Sequence, residues 1–253
     1  MQTVAQALAK PTENLPKKSE QKEQGCSCNG IGYYRLDVDV HDPRFGKVLP
    51  CPCVATKSAR VLQSKFGSVL NENTLLSNFR NRGEGSKKMT EIGREFIENP
   101  TGFISVFGGI RKDGHGSANG NGKTTWSQAL VNECLSRGVS ALYVTASDLM
   151  EYINAGIENN DVDKRMAIVS NADVLVIDEL TQVRWSEWVE DKLTSVIDRR
   201  YKAKATKGTI LIMDESPTDK LHKRIVSRMR EGIVIKNSDT DLRPSFGQQE
   251  NLL

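Results

Sequence analysis

From about residue 75 onward the chain alternates short, nearly continuous apolar runs with stretches of helical period, and this predicts an α/β domain on a parallel sheet covered on both faces. Two local observations support it. The stretch SANGNGKTT (117–125) sits between an apolar run and a helical one, and the apolar run VLVIDE (174–179) ends in two carboxylates. A third observation predicts a small appended module, because four of the five cysteines fall between residues 26 and 53.

Taken in order, residues 1–24 are polar, rich in Lys, Glu and Gln, and predict a disordered arm. Residues 25–54 form the cysteine module, where GYYRLDVDV (32–40) alternates as a short strand or hairpin does. Residues 55–74 read as a linker with a weak helical pattern from 55 to 70, and NRGEGSKK (81–88) reads as a loop. Within the main domain, 75–245, FISVFGG (103–109) predicts a strand and TTWSQALVNECLSRG (124–138) a helix closed by Gly138. SALYVT (140–145) predicts a strand and SDLMEYINAGI (147–157) a helix capped by Ser147. Then follow the strand ADVLVIDE (172–179), the helix WVEDKLTSVIDRRYKA (188–203), the strand GTILIMDE (208–215) and a tail at 246–253.

Composition narrows the function classes. Thirty-five Lys and Arg against 32 Asp and Glu give a net charge of +3, which permits nucleic-acid contact without arguing for it. No run approaches the ~18 apolar residues a membrane span needs, and the start has no signal-peptide pattern, so the expected location is cytoplasmic. In a reducing compartment clustered cysteines point to a metal rather than to disulfides.

Gly120, Gly122, Lys123 and Thr124 stand between a strand and a helix, the context in which a glycine-rich turn reads as a phosphate cradle. Backbone N–H groups from Gly120 through Thr125, Asn121 among them, would hold phosphates of ATP; Lys123 would reach the outer ones and the Thr124 hydroxyl would ligate Mg²⁺. Ser117 occupies the place of the usual first glycine, and Gly116 supplies a turn in a loop one residue longer; IRKDGHG (110–116) reads as an insertion. An apolar strand ending in Asp178-Glu179 delivers both acids to the sheet edge, Asp178 to the Mg²⁺ shell and Glu179 to the attacking water. The expectation is that Lys123 and this acidic pair converge from adjacent strand ends. Asp214 ends the next strand.

Cys26 and Cys28 form one C-x-C and Cys51 and Cys53 another, with 22 residues between. Two close pairs complete the tetrahedral sulfur shell of a structural Zn²⁺ site; an iron–sulfur cluster, a redox pair and unligated thiols are the alternatives. His41 is a substitute ligand, and Cys134 lies on a helix where it reads as core. A 30-residue module needs metal to fold, which leaves its surface to meet a partner protein.

GNGKTT, LYVTASDLM, NADVLVIDEL, VIDRRY and KRIVSRMREG followed by Leu242-Arg243 resemble the DnaC, DnaI and IstB-like branch of AAA+ ATPases, over roughly residues 74–245. The cysteine segment resembles the amino-terminal module of some members. The resemblance implies a parallel-sheet P-loop ATPase that acts as a switch within a self-oligomer and loads a replicative hexameric helicase onto DNA, the amino-terminal region meeting the helicase. It implies that Arg228 is an arginine finger for a neighbouring subunit, with Arg224 as rival, and that Arg243 contacts nucleotide within its own chain. It places Asp214 where the family carries Asn; a carboxylate cannot donate a hydrogen bond to phosphate, which predicts slow hydrolysis. The same motifs would serve an ATPase helper of a transposase, and from another class a zinc-bearing adaptor that binds ATP and barely turns it over.

RRYKAKATK (199–207) holds five basic residues and one aromatic. It reads equally as a cation-rich helix end and as a track for single-stranded DNA with Tyr201 as stacking platform. KLHKRIVSRMR (220–230) is a second basic cluster.

Overall fold

The computed structural model describes residues 28–81, 83–109, 120–217 and 221–241. The chain divides into two compact units between Cys51 and Pro52. In the first, β1 (Tyr33–Arg35) and β2 (Val48–Pro50) pair antiparallel, with Arg35 opposite Val48. The alternation in GYYRLDVDV thus yields one arm of a hairpin, and the strand ends at Arg35 rather than running on.

The second unit opens with α1 (Pro52–Gln63), so the stretch read as linker contains most of a helix. A 3-10 turn at Leu76–Asn78 precedes α2 (Glu84–Glu98), which the sequence reading missed. Within NRGEGSKK the helix takes Glu84 and everything after it. The reason is non-local: the Asp239 carboxylate accepts from the N–H groups of Gly85 (3.2 Å) and Ser86 (2.7 Å), an anion at a helix N-terminus supplied from the far end of the chain. Burial of Met89, Phe96 and Ile97 outweighs the breakers.

The sheet comprises β3 (Gly102–Gly108), β4 (Ala141–Thr145), β5 (Val174–Asp178), β6 (Gly208–Met213) and β7 (Ile233–Asn237), in the order β4-β5-β6-β3-β7, all parallel. Every residue of β5 and β6 is buried, as expected for central strands covered on both faces. Helices α3 (Lys123–Ser136), α4 (Ala146–Asn154), α5 (Val162–Ser170), α6 (Glu187–Lys202) and α7 (Lys223–Arg230) complete the domain. α3 packs on β4, β5 and β6 and on α2, while α5, α6 and α7 pack in succession and α7 reaches β3 and β7. α3 closes at Gly138, whose φ of 83° is the left-handed conformation a helix end favours. Two details differ from the sequence reading. α4 is capped by Thr145, whose Oγ1 accepts from Asp148 N at 3.1 Å, because the helix follows β4 without an intervening loop and Ser147 is already helical. β7 carries no signal of its own, being an edge strand with exposed Ile233, Val234 and Lys236.

Candidate nucleotide and metal sites

The carboxyl ends of the parallel strands carry the residues that the sequence singles out. β3 leads through its loop to Gly120 and Gly122, whose φ angles of 68° and 86° are left-handed, a conformation that turns successive N–H groups inward at little cost only for glycine. α3 begins at Lys123 with no side-chain cap on its first N–H groups, so its N-terminus presents donors and a positive dipole end. Thr125 follows on the first turn and is exposed.

Lys123 is 4% exposed; its Nζ donates to Asn121 Oδ1 at 3.0 Å and lies 3.4 Å from Asp214 Oδ1. Thr124 Oγ1 donates to Asp178 Oδ2 at 2.8 Å, so the hydroxyl and the carboxylate that would flank Mg²⁺ already touch. Glu179 stands just past β5 at φ 55°, a left-handed conformation rare for a side chain of this kind, with its N–H donating to Asp178 Oδ1 at 2.7 Å. Partial loss of hydration, then the charges of Asp178, Asp214 and Asp148, raise its carboxyl above the usual glutamate value. These contacts fit a triphosphate with Mg²⁺: donors and a cation on one side, a hydroxyl and two acids on the other.

One element of the sequence expectation is corrected. The lysine loop and the acidic pair do not come from adjacent strands, because β6 lies between β3 and β5 and brings Asp214 into the gap.

Three residues here carried no reading of their own. Tyr143 donates its hydroxyl to Asp178 Oδ2 at 2.9 Å; a tyrosine inside an otherwise aliphatic strand was the available signal. Gln182 donates to Asp214 Oδ2. Asn237, fully buried at the end of β7, accepts from Asn121 Nδ2 through its carbonyl at 2.9 Å and returns a bond from its own Nδ2 to Asn121 O at 3.2 Å, tying the loop to the edge strand. Nothing local in the sequence marks it.

Arg228 lies elsewhere. Its guanidinium sits 4.0 Å over the Tyr201 ring, with Asp198 Oδ1 at 3.5 Å and Glu231 Oε1 at 3.6 Å, and Tyr201 packs edge-on against Phe103 at the start of β3. That is the end of β3 away from Lys123. Arg224 pairs with the same Asp198. Arg243 lies outside the described residues.

The reading of 199–207 as a DNA track changes. Arg200 is fully buried: Nε donates to Thr209 Oγ1 (3.0 Å), and its two terminal nitrogens donate to the carbonyls of Ser170 (2.9 Å), Ala172, Asp173 (3.1 Å) and Gly208. Burial pulls its pKa down to about 10, with the Asp173 charge acting the other way, so it stays protonated at neutral pH. The Tyr201 ring is engaged by Arg228 and by Lys204, each 4.0 Å from the centroid, and its hydroxyl by Glu231. A ring so occupied is no stacking platform.

Among the described residues the sulfurs of Cys28, Cys51 and Cys53 lie within 4.8 Å of one another, while Cys26 lies outside the described residues. Sulfurs sharing a tetrahedral zinc at about 2.3 Å stand about 3.8 Å apart, so the spacing fits. Gly32 N–H donates to Cys28 Sγ at 3.2 Å. His41 is not part of the group. Cys134 is buried in the core, where loss of hydration pushes its thiol up to about 12.

A parallel sheet whose glycine loop runs into a helix headed by Lys-Thr, with a carboxylate from a neighbouring part of the sheet against that threonine, defines a P-loop ATP-binding protein of the AAA+ type. A family model described as IstB-like ATP binding protein matches residues 115–223. The replicative helicase loader DnaC of Escherichia coli (strain K12) is 30% identical over 181 residues, 70% of this chain and 71% of that protein. Among solved structures, the DnaC helicase loader superposes with a TM-score of 0.53 at 22% identity, over 65% of this chain and 97% of that one. A replication initiator DnaA bound to AMPPCP and single-stranded DNA gives 0.58 at 25% identity over 67% of this chain, which spans about half (51%) of that protein's length. The chain belongs to the IstB-like/DnaC helicase-loader family of AAA+ proteins.

Among the described residues no helix is long and apolar enough to cross a membrane.

Proposed function

We propose that this protein is an ATP-dependent loader of a replicative ring helicase onto DNA, with ATP hydrolysis acting as a switch in a self-oligomer. Family membership supports the loader; the contact of Thr124 with Asp178 at 2.8 Å, beside a buried Lys123, carries the ATPase. Gly120, Asn121 and Gly122 hold the phosphates by backbone N–H groups, and Lys123 draws the outer phosphates to the loop. Thr124 and Asp178 would hold Mg²⁺, which when bound neutralises phosphate charge. Glu179 orients and polarises the attacking water, and its raised pKa suits a proton acceptor. Arg228 reaches a neighbour's nucleotide only after leaving its pairing with Asp198 and Glu231, so oligomerisation and turnover are coupled through that exchange.

Cys26, Cys28, Cys51 and Cys53 would hold a structural zinc ion, which would supply the folding energy that so short a segment lacks. Exposed Ile31, Tyr33, Phe45 and Val48 leave the cysteine module an apolar surface suited to protein contact, and the helicase is the partner we assign to it. Single-stranded DNA is a second ligand, and Arg200 and Tyr201 are not its contacts.

ATP hydrolysis measured with and without helicase and single-stranded DNA tests the reading. Partner-stimulated turnover that disappears in Glu179→Gln is the expected result. Nucleotide binding without turnover under every condition would leave an adaptor instead. The match to IstB-like proteins favours one second reading, a transposase helper, and capture of a transposase rather than a hexameric helicase from host lysate would establish it.

A further inference from the structure

β4 pairs with β5 on one side and, among the described residues, has no strand on the other. An open edge leaves main-chain N–H and C=O groups to be satisfied. At Tyr143 a side chain satisfies them. Gln63, the last residue of α1, accepts from Tyr143 N–H through Oε1 at 2.9 Å and donates from Nε2 to the Tyr143 carbonyl at 2.7 Å. A primary amide carries an acceptor and a donor side by side and so fits both groups of one residue, which neither a carboxylate nor a hydrocarbon chain can do. Further along the same edge, Ser68 Oγ accepts from Thr145 N–H at 2.9 Å.

The other end of Tyr143 meets the acidic edge. Its ring is buried, and its hydroxyl donates to Asp178 Oδ2 at 2.9 Å, the same oxygen that receives Thr124 Oγ1. Gln128, whose amide donates to Val69 O at 3.3 Å and accepts from Asn71 N–H at 3.4 Å, also reaches that hydroxyl. The segment after α1 therefore holds Tyr143 at both ends, at the main chain through Gln63 and at the hydroxyl through Gln128. The sheet does not depend on the Gln63 pair. Leu142 and Val144 on either side of Tyr143 are fully buried, and β4 is in register with β5 from Ala141 to Thr145. What Gln63 fixes is the position of Tyr143 on the open side, and a phenol is a rigid arm that carries a shift of its main chain to its hydroxyl.

We infer that Gln63 is a positioning residue for the Mg²⁺ site: its amide locks the main chain of Tyr143, and the phenol transmits that position to Asp178. This rests on Thr124 and Asp178 being the residues that hold Mg²⁺. Groups behind a metal ligand set its orientation, and Gln63 stands one step further back than Tyr143.

The test is calorimetric titration of the full-length protein with AMPPCP, in Mg²⁺ and in EDTA, for the natural chain, Gln63→Met, Tyr143→Phe, the double variant, Ser68→Ala and Thr124→Ala. The readout is the Mg²⁺ gain, the ratio of the two affinities. Gln63→Met keeps the length of the side chain and removes both bonds; it should cut the gain roughly fivefold while the affinity in EDTA moves by less than about twofold. Tyr143→Phe should cut the gain about tenfold, and the double variant no further, because both changes act through one hydroxyl. Ser68→Ala loosens the same edge without touching Tyr143 and should leave the gain unchanged. A Gln63→Met protein that loses equal affinity in Mg²⁺ and in EDTA, or that fails to fold, overturns the inference, since the residue would then serve the scaffold alone. Additive losses in the double variant, or a loss in Ser68→Ala equal to that in Gln63→Met, overturn it as well. Thr124→Ala separates the two levels. Loss of the gain there with an unchanged gain in Gln63→Met sinks this inference alone; a natural chain that binds AMPPCP equally in Mg²⁺ and in EDTA sinks the Mg²⁺ site and this inference with it.

Discussion

Lys123 and Arg200 are both buried cations in one domain, and they are held in opposite ways. Arg200 faces four main-chain carbonyls and a threonine hydroxyl between α5, the start of β5 and the start of β6, near the amino ends of the strands. Lys123 faces side chains, Asn121 and Asp214, at the carboxyl ends. Main-chain acceptors in regular structure cannot move away without unfolding it, whereas a carboxylate at a strand end can rotate. The first cation is therefore part of the scaffold, and the second is positioned to exchange partners with an anionic ligand. Basic residues in a sequence do not announce which of the two they are.

The largest expected effect breaks the scaffold side of this comparison. Arg200→Ala strands buried carbonyls of Ser170, Ala172, Asp173 and Gly208 without donors, and an uncompensated polar cavity of this kind costs more than about 3 kcal/mol. Denaturant unfolding should show that loss, with DNA binding lost only through unfolding. A well-folded Arg200→Ala with selectively weakened DNA binding would return the arginine to the nucleic-acid surface.

From β3 to β6 the order of elements was legible except for α5, because continuous apolar runs and a glycine-rich helix start are local signals. The same holds for Lys123, Thr124, Asp178 and Glu179, whose spacing lies within single turns and strand ends. What escaped depends on distant partners. α2 begins amid breakers because Asp239, some 150 residues on, caps it. Arg200 belongs to a run that reads as a cationic surface until the carbonyls of α5 and β6 close over it. Asn237 and Tyr143 act through contacts made 116 and 35 residues away, which no window of sequence contains.

Tyr143→Phe sharpens the ligand side. The change keeps the ring and removes one donor from Asp178 Oδ2, leaving Thr124 as its other donor. Burial, and then the Asp178 charge, push the phenol well above its ordinary pKa, so it remains a donor at any working pH. Loss of the bond should lower stability by about 1 kcal/mol. Because partners behind a metal ligand fix its orientation, the Mg²⁺ concentration for half-maximal hydrolysis should rise about tenfold. An unchanged Mg²⁺ requirement would reduce Tyr143 to a packing residue.

The smallest effect concerns Glu179, whose carboxyl is raised above the ordinary glutamate value by partial desolvation and by three acids. A folded-state pKa above the unfolded one means that protonation favours the fold. That contribution is complete below the unfolded value near 4.5 and is lost as pH rises through the higher folded value. Glu179→Gln carries no such charge, so it should match the natural chain in stability at pH 4 and exceed it at pH 7. The side chain is exposed, and solvent screening keeps the gain below about 1 kcal/mol. Paired denaturant unfolding curves at the two pH values read it directly. A gap of the opposite sign would mean that a neighbouring cation holds Glu179 in its charged form, and the acidic edge described above would then have to include a positive partner.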